Sequence, residues 1–365
     1  MKIGITTFQY AYNFGAILQL LAMQKLLTQL GHEAEAINFL PTEAARLAPW
    51  QGWKLREGNF KANVTNRLIS FRYGESARKN FELFVDKNIN ISEPLRSHDQ
   101  VTKYVDRYDA VVTGSDQVWN FNRSSVYFLD FGTNYLGKRI SYAPSCGTLD
   151  QREDRSKSIG AFLNEFDSIS VRDSISEAVV SKVCDKPVSI VADPTLMVDI
   201  SDSEIKVDKP DKYIFMYVLG KEINGGHQNM INSIRKHYGD FPVVAAIASA
   251  HKPQRIDVAD ITIYDAGPGE WLNLVKNASF VYTDSFHCSL FSMKSGKDFI
   301  AYFAEEGRAP RLTDIASRYG VSRSIAGSVD EAEENQYWKQ ETHGLILDKI
   351  ETHVSFSRDF LIKAL

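Results

Sequence analysis

The sequence predicts an α/β protein of two Rossmann-like domains facing each other across a cleft. Three observations predict it. Short apolar strands repeatedly run into a polar turn and then an amphipathic helix, the βαβ pattern of a parallel sheet. The charged stretch Asp199 to Lys212, with Pro210 inside it, separates two such series. The length of 365 residues exceeds what one core usually carries.

The first series opens with a strand from Lys2 to Thr7 and the polar, aromatic loop Phe8 to Gly15. A helix from about Ala16 to Leu30 follows, with apolar residues at helical spacing and Gly31 as its stop. A strand from Ala34 to Phe39 completes the unit. The loop lacks GxGxxG, so it is no dinucleotide fingerprint. Gly15 reads equally as a phosphate contact or as a tight strand-to-helix turn. Four further strands end in polar residues at the presumed same edge: Tyr108 to Thr113 in Gly114-Ser115-Asp116-Gln117, Arg139 to Ala143 in Pro144-Ser145, Ser168 to Val171 in Arg172-Asp173, and Val188 to Ala192 in Asp193-Pro194. One such ending is routine turn chemistry, whereas four read as one wall of a cleft.

The second series starts at Tyr213 to Leu219 and continues with a helix over 226–238, strands at Pro242 to Ala248 and Asp260 to Tyr264, and a helix over 268–277. It leads to Ser279 to Tyr302, which reads as strand, polar turn Thr283-Asp284-Ser285-Phe286, His287, helix, strand. A helix from Arg308 to Tyr319 and a last helix over 341–362 close the chain. The expected domains are 1–200, with an insertion at 41–100, and 210–340. Residues 341–365 form a helix expected to pack back on the first domain.

Composition is that of an ordinary soluble protein, 44% apolar and 24% charged. The net charge of −4 leaves no global nucleic-acid footprint. Cys146, Cys184 and Cys288 are scattered and odd in number, which argues against a zinc site or a disulfide framework and for a cytoplasmic setting. No apolar run approaches the roughly 18 residues of a membrane span. Residues 41–80 carry eight Lys or Arg against three Glu, with Trp50 and Trp53 near their start. This block reads as a solvated helical insertion or, more sharply, as a docking surface for an anionic or membrane-bound acceptor at the inner face of the membrane.

His287 is the leading catalytic candidate, because a histidine between a strand end and a helix start can move protons near neutral pH. Asp116 and Asp284 are its candidate partners, Asp116 with a helix N-cap as its plain alternative. Arg172 reads as an anion contact or as a salt bridge to a neighbour such as Asp173. Arg311, with Arg308 as the weaker companion, could clamp a phosphate or carboxylate. Asp193 is read as ordering its own turn. Asn13, Gly15, Ser115, Gln117, Trp119 and Ser145 line the presumed cleft from the first domain. No Walker loop, hydrolase elbow or metal cluster is present in the pattern.

Taken together, Asn13 to Glu33, Tyr108 to Asn120, Arg139 to Gly147, Ser168 to Asp173, Val191 to Met197 and Asn277 to Met293 resemble the polysaccharide pyruvyl transferase family, in its order and over most of the chain. The resemblance implies a GT-B-like fold with an interdomain active site. It implies transfer of the pyruvyl group of phosphoenolpyruvate to hydroxyls of a glycan in capsule, exopolysaccharide or cell-wall synthesis. Phosphoenolpyruvate is then a co-substrate, no cofactor or metal is required, and the glycan acceptor is free or lipid-linked. The donor belongs to the 210–340 domain, and the 41–100 insertion lies on the acceptor side. The family's histidine falls on His287 and its arginines on Arg172 and Arg311, while Ser285 and Phe286 stand in the donor-binding turn. One branch of the family carries an arginine where this chain has Ser285, so phosphate binding is left to Arg172, Arg311 and the helix N-terminus. The rivals are a GT-B glycosyltransferase using a nucleotide sugar and a non-catalytic glycan-binding homologue.

Overall fold

A computed structural model describes the chain except for residues 11, 42–59, 149–150, 248–255, 305–308 and 339–341, and except for the side chains of 60–67 and 70. The first domain runs β1 (Lys2–Thr6), α1 (Phe14–Gln29), β2 (Glu33–Ala36), α2 (Phe60–Asn88), α3 (His98–Val105), β3 (Ala110–Thr113), β4 (Lys138–Ser141), α4 (Glu153–Leu163), β5 (Ile169–Val171), α5 (Ser174–Val180), β6 (Val188–Ile190) and α6 (Pro194–Met197). The second runs β7 (Ile214–Tyr217), α7 (His227–Tyr238), β8 (Val243–Ala246), β9 (Ile261–Ile263), α8 (Pro268–Asn277), β10 (Phe280–Thr283), α9 (Phe286–Lys294), β11 (Phe299–Tyr302), α10 (Ala309–Tyr319), β12 (Ile325–Ala326) and α11 (Val329–Glu334), followed by α12 (His343–Ala364).

All ladders among these strands are parallel, in the orders β2-β1-β3-β4 and β12-β11-β10-β7-β8-β9, with β5 and β6 as a further pair. The central strands AVVT, IFMY, FVYT and FIAY are buried at every position, as parallel strands covered on both faces must be. The β5–β6 pair joins the first sheet through backbone bonds at the start of β5, the Ser141 amide donating to the Ser168 carbonyl at 3.1 Å, and through hydroxyls beyond it. Ser141 Oγ donates to the Ser170 carbonyl at 2.8 Å, Ser170 Oγ to the Ser141 carbonyl at 2.7 Å, and the Ser170 amide to Ser141 Oγ at 2.9 Å. The two buried side chains thus take up the backbone groups that would otherwise be orphaned there.

Each sheet has a topological switch point, where consecutive connections leave in opposite directions and a crevice opens at the carboxyl ends of the strands. In the first sheet it lies between β1 and β3, which lead to Gly15 and to Ser115–Asp116. In the second it lies between β7 and β10, which lead to Leu219–Gly220 and to Asp284–His287. The chain order therefore brings the polar endings of both sheets to two facing edges.

One apolar core joins α1 and α6 of the first domain to α8, α9 and α12. Phe14 stacks on Trp271 at 5.6 Å and on Phe81 at 5.1 Å, with ring planes within about 20° of parallel, and Trp271 meets Tyr217 edge-on at 5.3 Å. Helix α2 is 29 residues long. It reaches the second domain, where Ser76 Oγ donates to Asp265 Oδ2 and Asn80 Nδ2 to the Asp265 carbonyl, both at 2.8 Å. Gly267 permits this approach, because a Cβ there would stand 3.0 Å from the Asn80 carbonyl oxygen. The chain end crosses in the other direction: Ser357 Oγ on α12 accepts from the Ala192 amide at 2.8 Å, beside β6. Trp50 and Trp53, and most of the basic block around them, lie outside the described residues. Among the described residues no helix is long and apolar enough to cross a membrane.

Candidate active site

The turn after β10 is built so that each residue has a separate task. Thr283 Oγ1 donates to the Tyr217 carbonyl at the end of β7 and accepts from the Ser285 amide at 3.0 Å. Asp284 accepts from the Leu219 and Gly220 amides, one on each carboxylate oxygen, both at 2.7 Å. It thereby pins the β7 loop across the switch point of the second sheet. Ser285 caps α9, its hydroxyl accepting from the Cys288 amide. With those bonds made, Phe286 and His287 project from the first turn of α9 towards the first domain.

Phe286 lies under Arg172, whose guanidinium carbon sits 4.1 Å from the ring centroid. The His287 imidazole lies on Gly15, at the start of α1. A Cβ on Gly15 would come within 2.3 Å of His287 Nδ1 and 2.8 Å of its Cβ. Of the two readings left open for Gly15, the structure selects neither: the missing side chain makes room for the other domain's histidine. Asn13 caps α1, accepting from the Ala16 amide at 3.1 Å.

The far edge of that histidine faces Asp193. His287 Nε2 is 3.7 Å from Asp193 Oδ2, an ion-pair distance rather than a hydrogen bond, and it has no hydrogen-bond partner. The same Oδ2 lies 3.2 Å from an Arg172 terminal nitrogen and 2.8 Å from Ser115 Oγ. Oδ1 accepts from the amide and hydroxyl of Thr195, at 3.0 and 2.8 Å. Asp193 is only 2% exposed, Arg172 4% and His287 8%. Burial pushes the Asp193 carboxyl up, but His287 and then Arg172 outweigh it and hold it well below the ordinary carboxylate range. The reading of Asp193 as a turn-former is therefore too narrow. It does order the turn through Thr195, and it is also the junction of a serine, an arginine and a histidine drawn from three strand ends. Its place at the same edge as Arg172 was the available signal.

Other expected residues are placed differently. Trp119 is not on the cleft. It is fully buried between Phe128 and Phe166, its indole N–H donating to the Tyr127 carbonyl at 2.9 Å. Ser145 is likewise interior, its hydroxyl accepting from the Gly147 amide at 3.1 Å. Asp116 is half-buried in a left-handed conformation with φ of 70°. Its Oδ1 accepts from the Gln117 amide at 2.8 Å, and it makes no ion pair with His287. The Gln117 side chain lies against Gly147. Arg311 is half-buried in the first turn of α10, and Arg308 lies outside the described residues. Residues further along α10 share a cavity with Arg172. A cavity of about 10 Å³ beside Arg172 is lined by Asp193, Phe286, Asp314, Arg318 and Tyr319. Neither Asp314 nor Arg318 was singled out by the sequence pattern.

The three cysteines are free and buried, and burial pushes the Cys288 thiol up to about 12, so it is no ready nucleophile. Among the described residues no group of three or more His, Cys, Asp or Glu is placed to hold a metal ion. The chemistry on offer is one titratable imidazole held between a helix start and a buried carboxylate, beside a stacked guanidinium.

The model of the polysaccharide pyruvyl transferase family matches residues 13–303, from the cap of α1 to just past β11. The chain belongs to the polysaccharide pyruvyl transferase family. The matched span contains Gly15, Arg172, Asp193 and His287, and it stops before α10. No curated protein sequence matches. Among solved structures, the chain is similar to Arabidopsis thaliana UGT89C1 in complex with UDP-L-rhamnose, with a TM-score of 0.54 and 10% identity over 99% of this chain and 98% of that one. It is also similar to UDP-GlcNAc 2-epimerase from Neisseria meningitidis bound to UDP-GlcNAc, with a TM-score of 0.51 and 11% identity over the whole of both chains. At such identities the likeness is one of fold, and that fold is GT-B.

Proposed function

We propose that this family member moves the pyruvyl group of phosphoenolpyruvate onto two hydroxyls of a glycan hexose, giving a cyclic ketal and inorganic phosphate. The observation that carries the reading is the meeting of His287 from the second domain with Asp193 and Arg172 from the first. A proton mover beside a fixed cation is what an enol phosphate needs.

In this mechanism the imidazolium of His287 gives its proton to the methylene carbon of the donor, and the central carbon becomes electrophilic. One sugar hydroxyl adds there, and its proton returns to the now neutral imidazole. The carbon–oxygen bond to phosphate breaks, and the second hydroxyl closes the ring as its proton leaves with phosphate. Arg172 offsets the charge of the departing phosphate, and Asp193 orients and stabilises the imidazolium. Asp193 is too strongly ionised to serve as the base itself. Asp116, just past β3, is the candidate to orient an acceptor hydroxyl by accepting its hydrogen bond. Asp284 holds the site's framework. The acceptor, free or lipid-linked, approaches from the first domain, and the basic 41–80 block would favour an anionic carrier at the inner membrane face.

The test is phosphate release from phosphoenolpyruvate with a panel of free and lipid-linked hexosides. Mass spectrometry of the product must show the increment of a pyruvyl ketal rather than of a hexose. His287→Ala should cut turnover by about 10²–10⁴-fold while circular dichroism stays unchanged. Full turnover in that variant would remove His287 from the chemistry.

A further inference from the structure

Beside the pair just described lies a second one, built on α10. The Arg172 side chain is 2% exposed. Its terminal nitrogen meets Asp193 and its plane stacks on Phe286, but its Nε is buried with no hydrogen-bond partner. A guanidinium N–H in that state is costly unless something else comes to meet it. The small cavity at Arg172 is closed on the other side by Arg318 and Asp314.

Asp314 holds the Arg318 guanidinium in a fork. Nε is 3.3 Å from Oδ2, and the terminal nitrogen is 3.2 Å from Oδ1 and 3.1 Å from Oδ2. Asp314 Oδ1 also accepts from the Ser174 amide at 3.2 Å, so the carboxylate ties α10 to the segment that carries Arg172. At 11% exposure for Asp314 and 25% for Arg318, this is not a loose surface pair. Fork-on-fork contact is the geometry in which a guanidinium takes the carboxylate or phosphate of a ligand.

We infer that Arg172 and Arg318 are the two sides of an oxyanion subsite that receives one anionic group of the donor, and that Asp314 occupies it in the resting protein. That the ligand is phosphoenolpyruvate rests on the function proposed above. The chemistry of the subsite, two guanidinium groups and one orphaned N–H, calls for a carboxylate or phosphate of whatever molecule is bound. A cavity of about 10 Å³ admits little more than one water, so the subsite is shut while Asp314 stays in place. Asp193 remains on Arg172 throughout, because it also serves Ser115 and His287. Two carboxylates beside an incoming anion would exceed the two guanidinium charges, so Asp314 must turn away as the ligand enters. The donor thus competes with a side chain of the protein.

Calorimetric titration tests this with two probes, phosphoenolpyruvate and inorganic phosphate, on the full chain and on Asp314→Asn, Arg318→Met and Arg318→Lys. Asp314→Asn, which removes the competing charge at almost the same shape, should bind both probes about tenfold tighter. Arg318→Met should bind them about tenfold more weakly, with Arg318→Lys between the two. Since Arg318→Met could disturb α10, the gain in Asp314→Asn is the decisive arm. If the unaltered chain binds phosphoenolpyruvate but none of the variants changes its affinity, the subsite is wrong and the donor reading stands. If phosphate binds with the expected pattern and phosphoenolpyruvate does not, the subsite stands and the donor reading falls. If no variant binds either probe, both fall.

Discussion

The two strand edges that meet at the seam are built on opposite plans. On the first domain, Ser115, Arg172 and Asp193 come from three different strand ends and are locked to one another, each almost wholly buried. On the second domain one continuous turn supplies everything. Thr283, Asp284 and Ser285 are spent on backbone groups so that Phe286 and His287 stand forward. The first edge is a fixed charge distribution, and the second delivers a single group that can gain or lose a proton. Preorganised charge facing a proton mover is an efficient division, because the charges need no reorganisation when the proton moves. It also means that neither domain holds a complete site.

The widest break in this arrangement is Asp193→Asn. It leaves Arg172 buried without its counter-charge, and loss of one partner of a buried pair typically costs about 3–5 kcal/mol. Chemical denaturation should show a loss of that order, together with loss of turnover. The pH dependence gives a sharper reading. The Asp193 carboxyl is held below its unfolded value of 3.8, so its contribution is present above about pH 4. It is lost as pH falls through the folded value. The stability gap between the unaltered chain and Asp193→Asn should be constant near neutrality and narrow in acid, and a gap that widened in acid would contradict the assignment.

Gly15→Ala probes the meeting point itself. Its Cβ must displace the imidazole, since 2.3 Å is far inside contact distance. Turnover should fall about tenfold or more, as a misplacement of about 1 Å in a catalytic group can cost up to 10²-fold. The melting temperature should move little by comparison. Equal turnover in Gly15→Ala would mean that His287 works from another position.

Lys294, at the end of α9, holds the two plans together by donating to the Thr195 and Val198 carbonyls of the turn that contains Asp193. Burial lowers its ammonium from 10.5 to about 8. The folded protein therefore binds fewer protons than the unfolded chain between about pH 8 and 10.5, and this group adds stability as pH rises through that window. Lys294→Met should abolish that increment in melts taken between pH 8 and 10, measured as the difference from the unaltered chain. The smallest expected effect on activity is that of Trp119→Phe. It should leave acceptor and donor affinities unchanged and cost about 0.5–1.5 kcal/mol, the loss of one hydrogen bond to the Tyr127 carbonyl, which keeps the one from the Thr113 hydroxyl. A raised KM for acceptor would put Trp119 back on the cleft.

Much of this was legible from residue order alone, and the reasons are local. Apolar tetrapeptides such as AVVT and FVYT flanked by polar turns announce strands buried on both faces, and the Pro268–Asn277 helix carries its start signal in Gly-Pro. His287 and Arg172 were readable because their chemistry is conspicuous at strand ends. Asp193 was underrated because Asp-Pro-Thr is satisfied as a turn by itself, and only the fold shows what its second oxygen touches. Trp119 was misplaced because an aromatic after a polar turn looks the same whether it faces a cleft or the core. Asp314 and Arg318 form an unremarkable i,i+4 pair in sequence, which becomes a site only where α10 crosses the end of β5.

The aromatic stack of Phe14, Phe81 and Trp271 sets how the buried histidine can be reached. Parting the domains as a hinge would wet all three rings, and each fully buried side chain of this size returns roughly 1.5–3 kcal/mol when kept dry. A swing of whole domains is therefore an expensive way in. Turning the Asp314 side chain aside parts none of these rings, so the traffic of small anions would be timed by one carboxylate on α10 rather than by the halves of the molecule.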